Sequence, residues 1–195
     1  MNKLMKKIII AASLIGIAGV GYYYVQHQSK PQQVLEQGPF YTYDEARDLE
    51  SILKLFQENW YWLIASRPDY SREYAEYFFK YRAPTRNPLH AGILQIKVLR
   101  VDNQLAGFTA YYKENPQVGI LLFLAVDPIF RGKGYGEQLA RFAVNDLIAQ
   151  GAKKIQLVTR TVNFAAQKIY KRLGFQEVYR DDEGYVYFEY MVPTT

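Results

Sequence analysis

The sequence predicts a mixed α/β (α+β) domain: a mostly antiparallel central sheet flanked by helices, behind an N-terminal hydrophobic helix. Three observations carry this. Hydrophobic spacing is helical through Tyr81 and switches to a period of two from about Ile93. An unbroken apolar run, Ile120–Val126, reads as a central strand covered on both faces. Pro128 ends that run, and a basic glycine-rich loop then opens an amphipathic helix.

With 195 residues the chain has room for one domain and a short extension. Residues 8–25 carry no charge and follow Lys3, Lys6 and Lys7. As a helix they extend roughly 27 Å, close to the thickness of bilayer hydrocarbon. Tyr22, Tyr23 and Tyr24 sit at the far end like an interfacial aromatic belt. Residues 1–25 are therefore expected to be a single-pass membrane anchor or a cleaved signal segment. Ala12, Gly16 and Gly19 share one helix face there, which suggests a homodimer. Residues 26–38 are polar and read as a linker, leaving 39–195 as the folded domain.

Thr42-Tyr43-Asp44-Glu45 has capping-box spacing, and Leu49, Ile52, Leu53 and Phe56 follow at helical intervals, predicting a helix over about 44–58. Tyr74, Tyr77, Phe78 and Tyr81 mark a second helix. Its aromatic face, with Trp60 and Trp62, reads as core or as the lining of an acceptor pocket. Residues 82–90 form a Pro-containing loop. Leu94, Ile96 and Val98 alternate with polar residues as a strand, Asp102-Asn103 makes a turn, and 105–112 returns. Glu114–Gln117 turns again into the central strand. Leu139, Phe142, Ala143 and Leu147 form the buried stripe of the helix after the glycine loop, which Gly151 ends. Residues 155–159 form the next strand. Asn163 is placed to cap a helix with Ala166, Ile169, Tyr170 and Leu173 inward and Gly174 as its stop. A final strand pair, 175–179 and 185–191, surrounds Asp181–Gly184.

Composition excludes several classes. There is no cysteine, and the histidines are His27 and His90, so neither a thiolate nor a His cluster is available for metal. No G-x-S-x-G elbow supports a serine hydrolase. Four of the 24 basic side chains (Lys3, Lys6, Lys7, Lys30) and none of the 19 acidic ones lie in residues 1–30. The rest of the chain carries 20 against 19, and no nucleic-acid partner is expected.

The loop Arg131-Gly132-Lys133-Gly134-Tyr135-Gly136 carries the chemistry. Its glycines permit the positive φ that turns backbone N–H groups inward, and a helix N-terminus follows, as suits a pyrophosphate. It is neither a P-loop nor a dinucleotide fingerprint. Alone it also fits a glycine turn with two solvated basic residues. Its R-x-x-G-x-G pattern, after an apolar strand and Val-Asp-Pro, resembles the acyl-CoA-binding motif of the GNAT superfamily of N-acetyltransferases. Asn163, Tyr170 and Gly174-Phe175 resemble the family's second motif, and the element order over 39–192 is GNAT-like.

That resemblance implies acetyl-CoA as co-substrate and an amine-bearing acceptor, a small molecule or a protein amino group, attacking directly in a ternary complex. It implies main-chain contacts from Leu124 and Val126 to the pantetheine arm, which enters between two strands like an added one. It gives the pyrophosphate to Arg131, Gly132, Lys133, Gly134, Tyr135 and Gly136, and an arm contact to Asn163. Tyr170 becomes the general acid. No base is assigned; Glu114, Tyr111, Tyr112, His90 and an ordered water remain open. Two other readings stand beside the enzyme: a non-catalytic acyl-CoA-binding module on a membrane, and a fold used only as a scaffold. The N-terminal lysines orient the domain outside the membrane, whereas acetyl-CoA supply favours the cytoplasm, so the side stays undecided.

Overall fold

The structure is a computed structural model that describes residues 39–64, 69–84 and 92–193. Its elements run β1 (Phe40–Thr42), α1 (Glu45–Glu58), α2 (Trp60–Leu63), α3 (Arg72–Tyr81), β2 (Gln95–Val101), β3 (Gln104–Asn115) and β4 (Val118–Val126). A 3₁₀ turn (Pro128–Phe130) leads to α4 (Tyr135–Ala149), β5 (Lys154–Arg160), α5 (Phe164–Arg172), β6 (Gln176–Arg180) and β7 (Tyr185–Met191). The strands form one seven-stranded sheet in the order β1-β2-β3-β4-β5-β7-β6. Only β4 and β5 run parallel, so the expected mixed, mostly antiparallel sheet is the one observed.

The helices start where short polar side chains satisfy free backbone donors. Asp44, not Thr42, caps α1, accepting from the Arg47 N–H at 2.9 Å. Ser71 caps α3 through the Tyr74 N–H, and Asn163 caps α5 through the Ala166 N–H. Two large apolar cores occupy the two faces of the sheet, beside a smaller cluster of Leu99, Ala106, Phe130 and Leu139. Ile52, Phe56, Phe78 and Phe79 of α1 and α3 pack on Val98, Phe108 and Phe123. Ala140, Ala143, Leu147 and Tyr170 of α4 and α5 pack on Leu121, Ile155, Leu157 and Phe188. The aromatic residues of α3 divide accordingly: Phe78 is core and Tyr81 is exposed.

Asp48 is 0% exposed on α1, where it accepts from Arg47, from the Asp44 N–H and from Arg100 of β2. Burial pushes its carboxyl up, but the bonds from Arg47, Asp44 and Arg100 together outweigh this and hold it below the usual range. The network fastens the first helix to the sheet.

One expectation is corrected. Among the described residues no helix is long and apolar enough to cross a membrane. The longest, α4, has 15 residues, about 22 Å at the α-helical rise, and carries Glu137, Arg141 and Asp146. The single-pass, membrane-anchored localisation is withdrawn. Residues 8–25, on which it and the homodimer face rested, lie outside the described residues, as do the linker and His90.

Candidate active site

The site begins where the sheet splits. β4 pairs with β5 only from Val118 to Ile120, opposite Lys154 to Gln156. Beyond that, β4 stays with β3 as far as Val126, while β5 stays with β7 as far as Arg160. The two parallel strands therefore part, leaving an edge on each side. A bulge marks the divergence: Ala110 pairs with Phe123 and Tyr111 with Leu121, so Leu122 is an extra residue. Leu121 and Phe123, two apart in a strand, would ordinarily share a face. Here Leu121 packs among the α4–α5 core and Phe123 among the α1–α3 core. Bulges re-aim a strand in this way.

Hydrogen-bond alternation then decides which β4 groups are open. The Asp127 N–H donates to the Ala106 carbonyl, so alternate residues point toward β3. Leu124 and Val126 fall on the other phase and turn their N–H and C=O into the split. Both residues were expected to make main-chain contacts there. The Val126 carbonyl, however, already accepts from Arg131 Nε at 3.0 Å, leaving the Leu124 pair and the Val126 N–H.

The loop beyond has the backbone its sequence demands, with φ of 78° at Gly132 and 81° at Gly134. Gly134 is the N-cap of α4 and offers no side-chain acceptor, so first-turn N–H groups stay open to an anion. A Cβ at Gly136 would approach Ile169 at 3.2 Å, Val126 at 3.7 Å and Leu124 at 3.9 Å. That close approach seats α4 against both β4 and α5. Glu137, a first-turn carboxylate that would oppose an anion, is paired with Arg141 at 3.0 Å and Arg172 at 2.8 Å. The Arg141 bond leads in holding its carboxyl below the usual range.

Arg131 does something the sequence did not suggest. Besides the bond to Val126, its Nη2 donates to Asn59 Oδ1 at 2.9 Å, so the guanidinium ties the loop to the junction of α1 and α2. Lys133 remains as an exposed cation on the loop, with Tyr135 packed beside Phe130. A depression of about 450 Å³ on the outer face of α5 adds Lys168, Lys171 and Arg172 nearby.

Asn163 stands at the end of the β5 side. Its Oδ1 caps α5 and its Nδ2 donates to Thr159 Oγ1 at 3.2 Å, leaving one amide N–H uncommitted by these bonds. Tyr170 is 6% exposed, with its ring 6.0 Å from Phe175 and 6.1 Å from Phe188. Burial pushes its phenol up to about 12, further above neutral pH than an ordinary phenol.

The candidate bases fare differently. Tyr111 is 0% exposed and donates to Asp146 at 2.6 Å, which removes it from the split. Tyr112 is buried in the α1–α3 core. Glu114 is exposed near the β3–β4 turn, at the end of β4 remote from the loop. No base emerges from the described residues. Arg160, passed over in the sequence, lies at the β5 end of the split, where its Nε donates to the Tyr61 carbonyl at 2.6 Å.

Comparison with known proteins agrees with this geometry. A ribosomal-protein bS18-alanine N-acetyltransferase of Haemophilus ducreyi is 40% identical over 58 residues, 30% of this chain and 40% of that protein. A mycothiol acetyltransferase of Corynebacterium glutamicum is 28% identical over 72 residues, 37% of this chain and 25% of that one. The match thus spans less than half the length of either relative. Among solved structures, the Salmonella typhimurium protein yncA, solved with its cofactor acetyl-CoA, superposes with a TM-score of 0.63 at 13% identity, over 80% of this chain and 94% of that one. A ribosomal-protein-alanine N-acetyltransferase from Brucella melitensis gives 0.62 at 15% identity, over 78% and 99%. Likenesses at such identity establish the fold. The model of the Acetyltransferase (GNAT) family matches residues 49–175, which hold both edges of the split, the glycine loop and Tyr170, and the chain belongs to that family.

Proposed function

We propose that this protein is an acetyl-CoA-dependent N-acetyltransferase that acts on an amine by direct attack within a ternary complex. The observation that supports it most is the split between β4 and β5, where open Leu124 and Val126 groups lead to an uncapped helix N-terminus behind two positive-φ glycines. Bound acetyl-CoA supplies an acyl thioester. In this reading the Leu124 main chain and the Val126 N–H hold the arm as an added strand would be held. The loop N–H groups from Arg131 to Gly136, with Lys133, receive the pyrophosphate, and the cations of α5 suit the nucleotide end. Asn163 orients the arm through its remaining amide N–H.

Tyr170 is the proton donor of this reading: a phenol is protonated at neutral pH, and burial disfavours the phenolate further. It is suited to donate that proton to the departing thiolate as general acid. A backbone N–H of β4 stabilises the negative charge that develops on the acyl oxygen. The acceptor is an amine of a small molecule or a protein; the relatives' names point to an alanine of a ribosomal protein and to mycothiol.

The reading is tested by incubating the protein with acetyl-CoA and a panel of alanine-terminated peptides and small amines. Thiol release and a mass gain of one acetyl group on the acceptor are expected. Binding without transfer to any acceptor would favour the module. A second expectation concerns the loop. Gly134→Val places a β-branched residue in the left-handed region, which costs about 1–2 kcal/mol. Acetyl-CoA affinity, read by titration calorimetry, should fall about tenfold, the equivalent of 1.4 kcal/mol, and the same strain should lower the melting temperature by roughly 2–8 °C in a thermal melt.

A further inference from the structure

The short helix α2 is a single turn of four residues, too short to hold itself in water. It is fixed instead from both edges of the split. At its N-terminal end, Arg131, anchored on the Val126 carbonyl of β4, donates to the Oδ1 of Asn59. At its C-terminal end, Arg160 of β5 donates from Nε to the Tyr61 carbonyl at 2.6 Å and from Nη2 to the Ile64 carbonyl at 3.4 Å. A cation on the terminal carbonyls of a helix is well placed against its dipole. The same guanidinium stands 3.8 Å from the Tyr61 ring centroid and 5.1 Å from that of Tyr185. One arginine reaches the turn from the β4 side and one from the β5 side, across 72 and 99 residues of sequence.

The turn presents two rings outward. Tyr61 is 54% exposed and Trp62 is 43% exposed, in edge contact at 4.8 Å, while Trp60 is buried beneath them. The turn packs against both β4 and β5, the two strands that form the edges of the split.

We propose that α2 couples the donor cleft to the acceptor side, with Arg160 and Arg131 as positioning residues that set Tyr61 and Trp62 against the incoming amine. This rests on the acetyltransferase reading above. Arg160 touches neither reacting group; it acts through the backbone of Tyr61 and Ile64. Lysine cannot replace it, because one ammonium cannot both stack flat on a ring and present the paired N–H groups of a guanidinium.

Both tryptophans of the chain, Trp60 and Trp62, lie on this turn, so tryptophan emission reports on it alone. Acetyl-CoA is titrated into the full chain and followed by calorimetry and by emission. In the wild type the emission change should track the binding isotherm. In Arg160→Gln and Arg160→Lys, donor affinity should stay within about twofold, the emission change should shrink, and acceptor KM should rise at least about tenfold, as expected of a misplaced positioning element. Saturable binding with no emission change in the wild type would overturn the proposal. So would variants whose emission response and acceptor KM match the wild type, even if their melting temperature drops. Absence of calorimetric binding in the wild type would instead remove the donor reading on which the proposal stands.

Discussion

Tyr170→Phe is expected to lower kcat by about 10²- to 10⁴-fold, the range for loss of a positioned general acid, while acetyl-CoA affinity stays within about twofold. The substitution removes one oxygen and keeps the ring between Phe175 and Phe188, so the core of α5 is retained. The pH profile gives an independent check. An ordinary tyrosine deprotonates near 10, and burial pushes Tyr170 up to about 12. No fall in kcat between pH 7 and about 10 should therefore come from this group. Folding follows the same sign. The unfolded chain loses the proton first, so the contribution of Tyr170 to stability is fully present below about pH 10 and is lost as pH rises toward the folded value. Steady-state kinetics at saturating donor, with donor affinity from calorimetry, separates the chemical loss from a binding loss. Unchanged turnover would remove Tyr170 from the mechanism.

The second large effect is on stability. Asp48→Ala should destabilise the fold by about 3–5 kcal/mol, the cost of deleting one partner of a buried ion pair. Asp48 is wholly buried, and Arg100 would lose its acceptor on α1. The Asp44 N–H would lose its side-chain acceptor as well, at the very start of α1. Denaturant melts at neutral pH measure the difference; a change under about 1 kcal/mol would show the network to be dispensable. The wild type should carry the same signature in its acid limb. The folded carboxyl lies below its unfolded value, so its contribution is complete above about pH 4 and is lost as pH falls below that toward the folded value. In the alanine variant that acid-side slope should be shallower.

Local features of the fold were legible in the sequence because local chemistry sets them. Asn163 reads as a cap because an amide two bonds from the backbone reaches the N–H three residues on, and the structure has that bond. The glycine loop reads as positive-φ backbone because few other residues adopt it, and Gly132 and Gly134 do. The cap of α1 was misplaced by two residues, since Thr42 and Asp44 both offer an acceptor and only the path of β1 into the helix chooses between them.

What stayed hidden depends on register and on distant partners. Leu122 shows nothing in sequence that marks it as a bulge; the mismatch exists only between β3 and β4. Tyr111 had the composition of a candidate base until Asp146, on another element, claimed its hydroxyl. Arg131 read as a phosphate ligand because basic residues in glycine loops commonly are, yet Asn59 lies 72 residues away and takes one of its N–H groups. Arg160, a single arginine at a strand end, carries no local signal in the sequence. The functional coupling between cleft edges and α2 is a property of the assembled sheet.

The most direct measurement is calorimetric titration of acetyl-CoA into the full chain, with Gly134→Val as the paired control. Arg131 is a poor control, because its replacement also frees Asn59. Saturable binding at a single site is expected, weakened about tenfold in the control, which should still be folded at the temperature of the titration. No binding at about 1 mM donor, a free energy weaker than about −4 kcal/mol, would contradict the donor cleft and leave the chain a family member by fold without the family's co-substrate.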